Sequence, residues 1–125
     1  MDLEIRDKLV TALESGNYKK GRHVLRNTYN EYCCLGVLCD MYQKEIGGQW
    51  IKSTNTSEYR FIDSGENKSI FYLPTDVSKW AGIECEPRVD NPCYENKLGE
   101  KIFLSALNDN SDSFAPVIEI LKSIK

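Results

Sequence analysis

Residues 32–40 have the sequence Tyr-Cys-Cys-Leu-Gly-Val-Leu-Cys-Asp, and this run predicts the centre of the fold. Its apolar residues recur at helical spacing and fall on nearly all sides of the helix. A helix that is apolar nearly all round lies inside a protein. The sequence therefore predicts a buried helix that begins at Glu31 or Tyr32 and ends near Ile46. Its main apolar stripe consists of Cys34, Leu38, Met41 and Tyr42.

Gly36 lies inside this predicted helix. Glycine in a helix interior costs roughly 1 kcal/mol relative to alanine. It is tolerated where another backbone packs too closely for a side chain. We therefore expect a second chain segment to lie against the helix at Gly36.

Four further helices flank the central one, because apolar residues recur at i, i+3 and i+4. The last of them has Ser113 as its N-cap and Pro116 in its first turn. The predicted helices cover Asp2–Ser15, Leu73–Gly82, Glu100–Asn108 and the segment after Ser113.

The middle of the chain favours strands, since short runs of β-forming residues alternate with turn-rich linkers. The runs are Trp50-Ile51, Tyr59–Ile62 and Ser69–Tyr72. The segment from Ile83 to Gly99 contains two prolines and is predicted to be an irregular surface loop. At 125 residues, one domain over 1–125 is expected. The fold class is α+β, a single helix-rich domain with a small antiparallel sheet of two or three strands.

Composition limits the functional classes. Hydrophobic residues make up 41% and charged residues 28% of the chain, as in ordinary globular proteins. No apolar run approaches the ~18 residues of a membrane span, and the charged N-terminus is unlike a secretory signal. A cytoplasmic protein without a membrane partner is expected. The net charge of −3 disfavours binding to duplex nucleic acid.

Five cysteines form no Cys-x-x-Cys pair, and His23 is the only histidine. An odd count cannot pair completely within one chain, so free thiols in a reducing compartment are expected. The sequence has no motif for a metal, a phosphate loop or a catalytic triad. We therefore predict no cofactor, no metal and no enzyme activity. A thiol nucleophile at Cys33 or Cys34 with His23 as base is a minor alternative.

One basic cluster stands out on this acidic chain. Four cations lie within eight residues without an acidic neighbour, and tyrosines flank them. Such a cluster suits a small anion, with a tyrosine stacking a nucleobase and the cations holding phosphates. Alternatively, the charges meet acidic residues in the fold and the tyrosines pack at the edge of the core. The cluster consists of Tyr18, Lys19, Lys20, Arg22, Arg26 and Tyr32.

Three polar residues extend the candidate site. Asp40 follows the apolar run and needs a partner if it is buried, for which Arg22 or Arg26 is expected. Asn108 and Asp109 lie at a helix end, where their side chains either bond the turn backbone or contact a base or ribose.

The order of these segments resembles a family of small, largely uncharacterised phage and prophage accessory proteins. Many members are glycine-rich where this chain has His23. The resemblance implies an accessory protein, and such proteins commonly act against host immunity. The matching residues are Tyr18, Gly21-Arg22, Leu25-Arg26, Tyr32–Asp40, Leu73-Pro74, Val77, Trp80–Gly82, Leu107–Asp109 and Ser113-Phe114.

The resemblance and the basic cluster together predict a phage anti-defence protein in the cytoplasm of an infected bacterium. It would sequester a nucleotide-derived immune second messenger, a cyclic oligonucleotide or an ADP-ribose derivative. The predicted ligand site consists of Tyr18, Lys19, Lys20, Arg22, Arg26, Tyr32, Asn108 and Asp109.

Two other functions and the oligomeric state stay open. The chain could block a host immune protein through the acidic residues Glu84, Glu86, Asp90 and Glu95. It could instead be a small phosphodiesterase-like enzyme that uses Asp40 or Asp109. A homo-oligomer with the ligand between protomers is a further alternative.

Overall fold

The computed structural model describes residues 1–83, 93–95 and 98–124, and these ranges form an α+β fold. The predicted fold class is confirmed. Within the described ranges, no helix has the length and apolar character needed to cross a bilayer. The helices are α1 Leu3–Glu14, α2 Cys34–Glu45, α3 Thr75–Ala81, α4 Leu104–Asp109 and α5 Ala115–Lys122. The strands are β1 Lys19–Lys20, β2 Glu31–Tyr32, β3 Gln49–Lys52, β4 Tyr59–Ile62, β5 Lys68–Ser69, β6 Cys93–Glu95 and β7 Lys101–Phe103.

Helix α2 is the centre of the core, as predicted, and every residue from Cys34 to Asp40 is buried. It packs against α1, α3 and α4. Its predicted start is wrong, because Glu31 and Tyr32 form a parallel strand pair with β1. The helix begins after Cys33, whose Sγ accepts a hydrogen bond from the backbone N–H of Gly36 at 3.4 Å.

Gly36 packs directly against the backbone of Leu25. A Cβ at this position would overlap with the Leu25 carbonyl group. The same carbonyl accepts a hydrogen bond from the N–H of Cys33 at 3.2 Å. The expected close approach of a second segment is therefore confirmed, and that segment is the one that carries the basic cluster.

Strands β3, β4 and β5 form the predicted antiparallel sheet, with Trp50 opposite Phe61 and Lys52 opposite Tyr59. Phe61 is fully buried, so this face of the sheet covers the core. The third strand is shorter than predicted and ends at Ser69. Beyond it, the Ser69 hydroxyl accepts a hydrogen bond from the N–H of Tyr72, which closes a turn.

The terminal helix α1 forms as predicted, with Asp2 as its N-cap, and α3 ends at Gly82 in the left-handed conformation. The predicted helix over Glu100–Asn108 is partly wrong, because its first turn is replaced by β7, which pairs with β6.

The predicted N-cap of α5 is one residue early. Phe114 is the N-cap, and the Ser113 hydroxyl instead accepts from the N–H of Ala115. The predicted irregular loop contains β6, and residues 84–92 and 96–97 of it lie outside the described residues.

Candidate functional site

Two of the predicted phosphate-binding cations already have acidic partners. Lys19 Nζ lies 3.5 Å from a carboxylate oxygen of Glu31. Arg22 lies 2.8 Å from Asp112, and its guanidinium also donates to the backbone carbonyls of Asp109 and Ser111, both at 3.0 Å. Arg22 therefore binds the turn between α4 and α5. This agrees with the alternative that the charges of the basic cluster meet acidic residues in the fold.

Asn108 is fully buried and has a structural role. Its Oδ1 accepts from the N–H of Cys34 at 3.1 Å, at the start of α2. Its Nδ2 donates to the Gly21 carbonyl at 3.0 Å and to Asp109 at 3.1 Å. The amide thus joins α4, α2 and the segment after β1, and both its oxygen and its nitrogen have protein partners.

Asp109 binds the backbone next to Arg22. Its Oδ1 accepts from the N–H of His23 at 2.9 Å, and its Oδ2 lies 3.4 Å from the imidazole Nδ1. His23 has a φ of 70°, in the left-handed region that favours glycine. Lys20 lies nearby, and burial and the charge of Arg22 lower its pKa.

Arg26 differs from the other cations because aromatic rings surround it. Its guanidinium carbon lies 4.0 Å from the ring centroid of Tyr59, 5.3 Å from that of Tyr32 and 5.5 Å from that of Trp50. Its only described hydrogen-bond acceptor is Oδ1 of Asn30, 2.6 Å from Nη2. We call Arg26, Tyr32, Trp50 and Tyr59 the Arg26 cluster.

Asp40 lies beside this cluster and is 8% exposed. The expectation that Arg22 or Arg26 is its partner is wrong. Asp40 instead accepts from the Tyr18 hydroxyl at 2.5 Å and from the Trp50 indole N–H at 3.1 Å, and Lys44 Nζ lies 3.2 Å away. The carboxylate therefore orients one ring of the Arg26 cluster.

The two tyrosines from the sequence prediction meet edge to face, with ring centroids of Tyr18 and Tyr32 5.1 Å apart. Burial and the hydrogen bond to Asp40 raise the pKa of Tyr18, and burial raises that of Tyr32. Both phenols are consequently protonated at neutral pH. They serve as rings and hydrogen-bond donors and are poor bases.

The buried thiols are unsuited to catalysis. Cys33, Cys34 and Cys39 are free and buried. Burial raises the pKa of Cys33 to about 12 and those of the other two well above their ordinary value. Since the thiolate is the nucleophile, these groups are unreactive in the folded protein. Within the part of the chain described, no group of three or more His, Cys, Asp or Glu side chains could hold a metal.

A family model described as a domain of unknown function, DUF8296, matches residues 1–125. The chain belongs to this family. No curated protein and no solved structure matches the chain. The family description names no chemistry.

Two open cavities lie on or near the three-stranded sheet of this DUF8296 protein. One, of about 610 Å³, lies between Gly48 and the turn at Asp63–Glu66. The other, of about 290 Å³, includes Ile51, Arg60 and Ile70 in its lining. None of the eight predicted site residues lines either cavity.

The sequence prediction missed Trp50, Tyr59 and Lys44 as neighbours of Arg26 and Tyr18. Trp50 and Tyr59 lie on one face of the sheet, and alternation along two predicted strands could have placed them there. Their contact with Arg26 depends on backbone hydrogen bonds between segments distant in sequence, such as the bond from the Tyr59 N–H to the Arg26 carbonyl at 2.8 Å. No local sequence signal specifies that contact.

Proposed function

We propose that this protein binds and sequesters a nucleotide-derived anion, and that the ligand docks at the Arg26 cluster. The observation that carries the proposal is the position of the Arg26 guanidinium over the Tyr59 ring. Among the described residues, Arg26 has no carboxylate partner. Its charge is thus available to an anion, in contrast to those of Lys19 and Arg22.

The chemistry of the cluster suits a nucleotide. A guanidinium plane stacks on aromatic faces and still presents N–H donors to phosphate oxygens at its edge. Aromatic rings stack nucleobases with about 1–3 kcal/mol per base, with little preference for the base. The half-buried rings of Tyr32, Trp50 and Tyr59 have polar tips or edges and apolar faces, as such a platform requires.

Local charge favours an anion despite the net charge of the chain. Arg26 lies over the rings of the cluster, Lys44 Nζ lies 5.5 Å from the ring centroid of the neighbouring Tyr18, and Asp40 accepts from the Trp50 indole N–H. These two cations and one carboxylate together carry a net positive charge. Their interaction with a phosphate is attractive over about one Debye length.

The biological role follows from the resemblance to phage accessory proteins. An immune second messenger, either a cyclic oligonucleotide or an ADP-ribose derivative, combines a base with two or more negative charges. The infected bacterial cytoplasm is the proposed site of action.

The test compares thermal unfolding of the wild-type protein and of Arg26→Lys against cyclic dinucleotides, cyclic trinucleotides and ADP-ribose derivatives. A ligand at 100 times its Kd stabilises the native state by about 2.7 kcal/mol. We expect one ligand class to raise the melting temperature of the wild type but not that of Arg26→Lys, which keeps the charge and loses the planar fork. Lys79→Ala, at an exposed position on α3, is the control and should respond as the wild type does.

Mass spectrometry of the recovered ligand separates sequestration from turnover. Unchanged ligand in stoichiometric amount is expected. A chemically altered ligand, or an equal temperature shift in Arg26→Lys, would contradict the proposal. The protein-inhibitor alternative gains no support from the described contacts, since Glu84, Glu86 and Asp90 lie outside the described residues.

A further inference from the structure

Strand β3 lies at the edge of the three-stranded sheet, because β4 occupies the middle position between β3 and β5. Within the described residues, no strand pairs with the outer side of β3. Three of its residues, Gln49, Ile51 and Lys52, are exposed. An edge strand presents unpaired N–H and C=O groups and is a template for another strand. This edge is therefore open to a partner strand.

The hydrogen bonds of the β3–β4 hairpin show which backbone groups point to the open edge. The Ser53 N–H donates to the Glu58 carbonyl at 3.1 Å, so these two residues form a hydrogen-bonded pair. Hydrogen-bonded and non-hydrogen-bonded pairs alternate along an antiparallel ladder. The next pair, Lys52 with Tyr59, is therefore non-hydrogen-bonded. The N–H and carbonyl groups of Lys52, and two residues earlier those of Trp50, consequently point away from β4 to the open edge.

The side chains of this edge have distinct characters. Ile51 is 42% exposed and lies on the face opposite to that of Trp50 and Lys52, because side chains alternate along a strand. Lys52 has no ionic or hydrogen-bond partner among the described side chains. Trp50 is half-buried and belongs to the Arg26 cluster. The edge thus offers one exposed apolar side chain, one unpaired cation and one aromatic ring.

A second copy of β3 is complementary to this edge. Antiparallel pairing about a two-fold axis at Ile51 places Ile51 opposite the partner's Ile51 and Trp50 opposite the partner's Lys52. The outward N–H and carbonyl groups of Trp50 and Lys52 then meet each other as hydrogen-bonded pairs. Ile51 occupies a non-hydrogen-bonded pair, in which opposite side chains are closest. The two-fold axis repeats each contact, as in other isologous interfaces.

Side-chain chemistry selects this register over its neighbours. An axis at Lys52 would place two like charges directly opposite each other, which is destabilising. An axis at Trp50 would place Ile51 opposite the polar side chain of Gln49. With the axis at Ile51, each lysine ammonium lies across from an indole ring, which is a favourable partner for a cation. The two exposed isoleucines cover each other in the same arrangement.

We propose that this protein forms a two-fold dimer in solution through antiparallel pairing of β3 with β3 of a second copy. The contact is small, so the association is weak and depends on concentration. Because Trp50 belongs to the Arg26 cluster, the partner's Lys52 adds a cation beside that cluster. The pairing itself does not depend on the function proposed for the cluster.

The first test is sedimentation equilibrium without added ligand from about 5 µM to about 1 mM protein, a range that covers weak association. We expect the weight-average mass to rise from 14.3 kDa toward twice that value and to stop there. Ile51→Lys should raise the dimer Kd at least about tenfold, because two like charges replace the apolar contact on the axis. Leu3→Lys is the matched control. Leu3 lies on α1 and is 46% exposed, and its variant should associate as the wild type does.

Amide hydrogen exchange locates the contact. The N–H groups of Trp50 and Lys52 should exchange at least about twofold more slowly at 1 mM than at 50 µM protein, since pairing protects them. The Ser53 N–H is bonded within the hairpin and serves as the internal reference. Lys52→Pro removes one outward N–H, and proline is compatible with an edge strand at such a position. This variant should unfold cooperatively in urea and stay monomeric.

Three results would overturn the proposal. A mass of 14.3 kDa at every concentration, or wild-type association of both Ile51→Lys and Lys52→Pro, would exclude the dimer. Association with unchanged exchange at Trp50 and Lys52 would exclude strand pairing as its basis. Growth beyond the dimer mass would exclude a closed two-fold contact. Because no ligand is present in these experiments, each of these results leaves the function proposed for the Arg26 cluster standing.

Discussion

Gly36 of α2 lies against the carbonyl group of Leu25, and this contact fixes the basic segment to the central helix. Leu25 is fully buried, and its N–H donates to the Ile70 carbonyl at 2.8 Å. Both backbone polar groups of Leu25 are therefore hydrogen-bonded, the N–H to Ile70 and the carbonyl to the N–H of Cys33. Arg26 directly follows this anchored residue and lies over the rings of Trp50 and Tyr59.

The first prediction concerns Gly36→Ala. A methyl group would overlap with the Leu25 backbone, so either the helix or the basic segment has to move. Overpacking of this kind costs about 1–3 kcal/mol and exceeds the ~1 kcal/mol that alanine gains in helix propensity. We expect the free energy of unfolding in urea to fall by at least about 1–2 kcal/mol. Gln43→Ala, in the same helix and without a described side-chain hydrogen bond, should change it by less than about 0.5 kcal/mol. An equally mild effect of both variants would contradict the tight contact.

The second prediction concerns Asn108→Ala. The change leaves the buried Cys34 N–H without its partner, and the Gly21 carbonyl keeps only the 3.4 Å hydrogen bond from Lys20 Nζ. Unsatisfied buried groups cost about 1–3 kcal/mol each, and a loss of about 3 kcal/mol in unfolding free energy is expected. Asn110→Ala is the control, since the Asn110 side chain is exposed and only its backbone caps α4. A ligand role without a structural one would instead leave the urea midpoint of Asn108→Ala at the wild-type value.

The elements that the sequence predicted well are those with local causes. Helix α1 has an N-cap at Asp2 and an apolar stripe, and α2 has an apolar run. The errors arise where pairing with a distant segment overrides local preference. Glu31 and Tyr32 suit a helix start, but their backbone groups pair with β1. Lys101–Phe103 likewise joins β6 as a strand.

The candidate site was predicted less well than the fold, for a related physical reason. Spacing along the chain grouped Arg22 with Arg26, yet their neighbours come from different elements. Arg22 meets the α4–α5 turn, and Arg26 meets rings from β2, β3 and β4. Charge partners such as Asp112 lie 90 positions away, and composition alone cannot assign them.

The third prediction concerns Tyr18→Phe, which removes the hydroxyl that donates to Asp40. Hydrogen bonds to charged groups contribute about 1.5–3 kcal/mol, but Asp40 keeps its contacts with Trp50 and Lys44. We expect a loss of about 1–2 kcal/mol in unfolding free energy. Tyr29→Phe is the control. Tyr29 is 75% exposed, so loss of its hydroxyl should leave the free energy of unfolding unchanged. Equal urea midpoints for the two variants would show that the Tyr18 hydroxyl adds nothing.

The fourth prediction concerns the buried thiols and alkaline pH. Burial raises the folded-state pKa of Cys33 from 9.0 to about 12, and it raises those of Cys34 and Cys39. Because the folded pKa lies above the unfolded one, the stability that each thiol contributes is fully present below about pH 9. It is lost as the pH rises from 9 toward the folded value, by up to ~1.4 kcal/mol per pH unit for each thiol.

Cys33→Ser isolates one of these thiols. Serine is a good N-cap, so its hydroxyl replaces the Cys33 sulfur as acceptor for the Gly36 N–H, and it does not ionise in this range. Urea unfolding at half-unit steps from pH 8 to 11 should therefore give a shallower loss of stability for Cys33→Ser than for the wild type above pH 9. Parallel curves across that range would mean that Cys33 ionises as readily in the folded protein as in the unfolded chain, and they would contradict its burial at the start of α2.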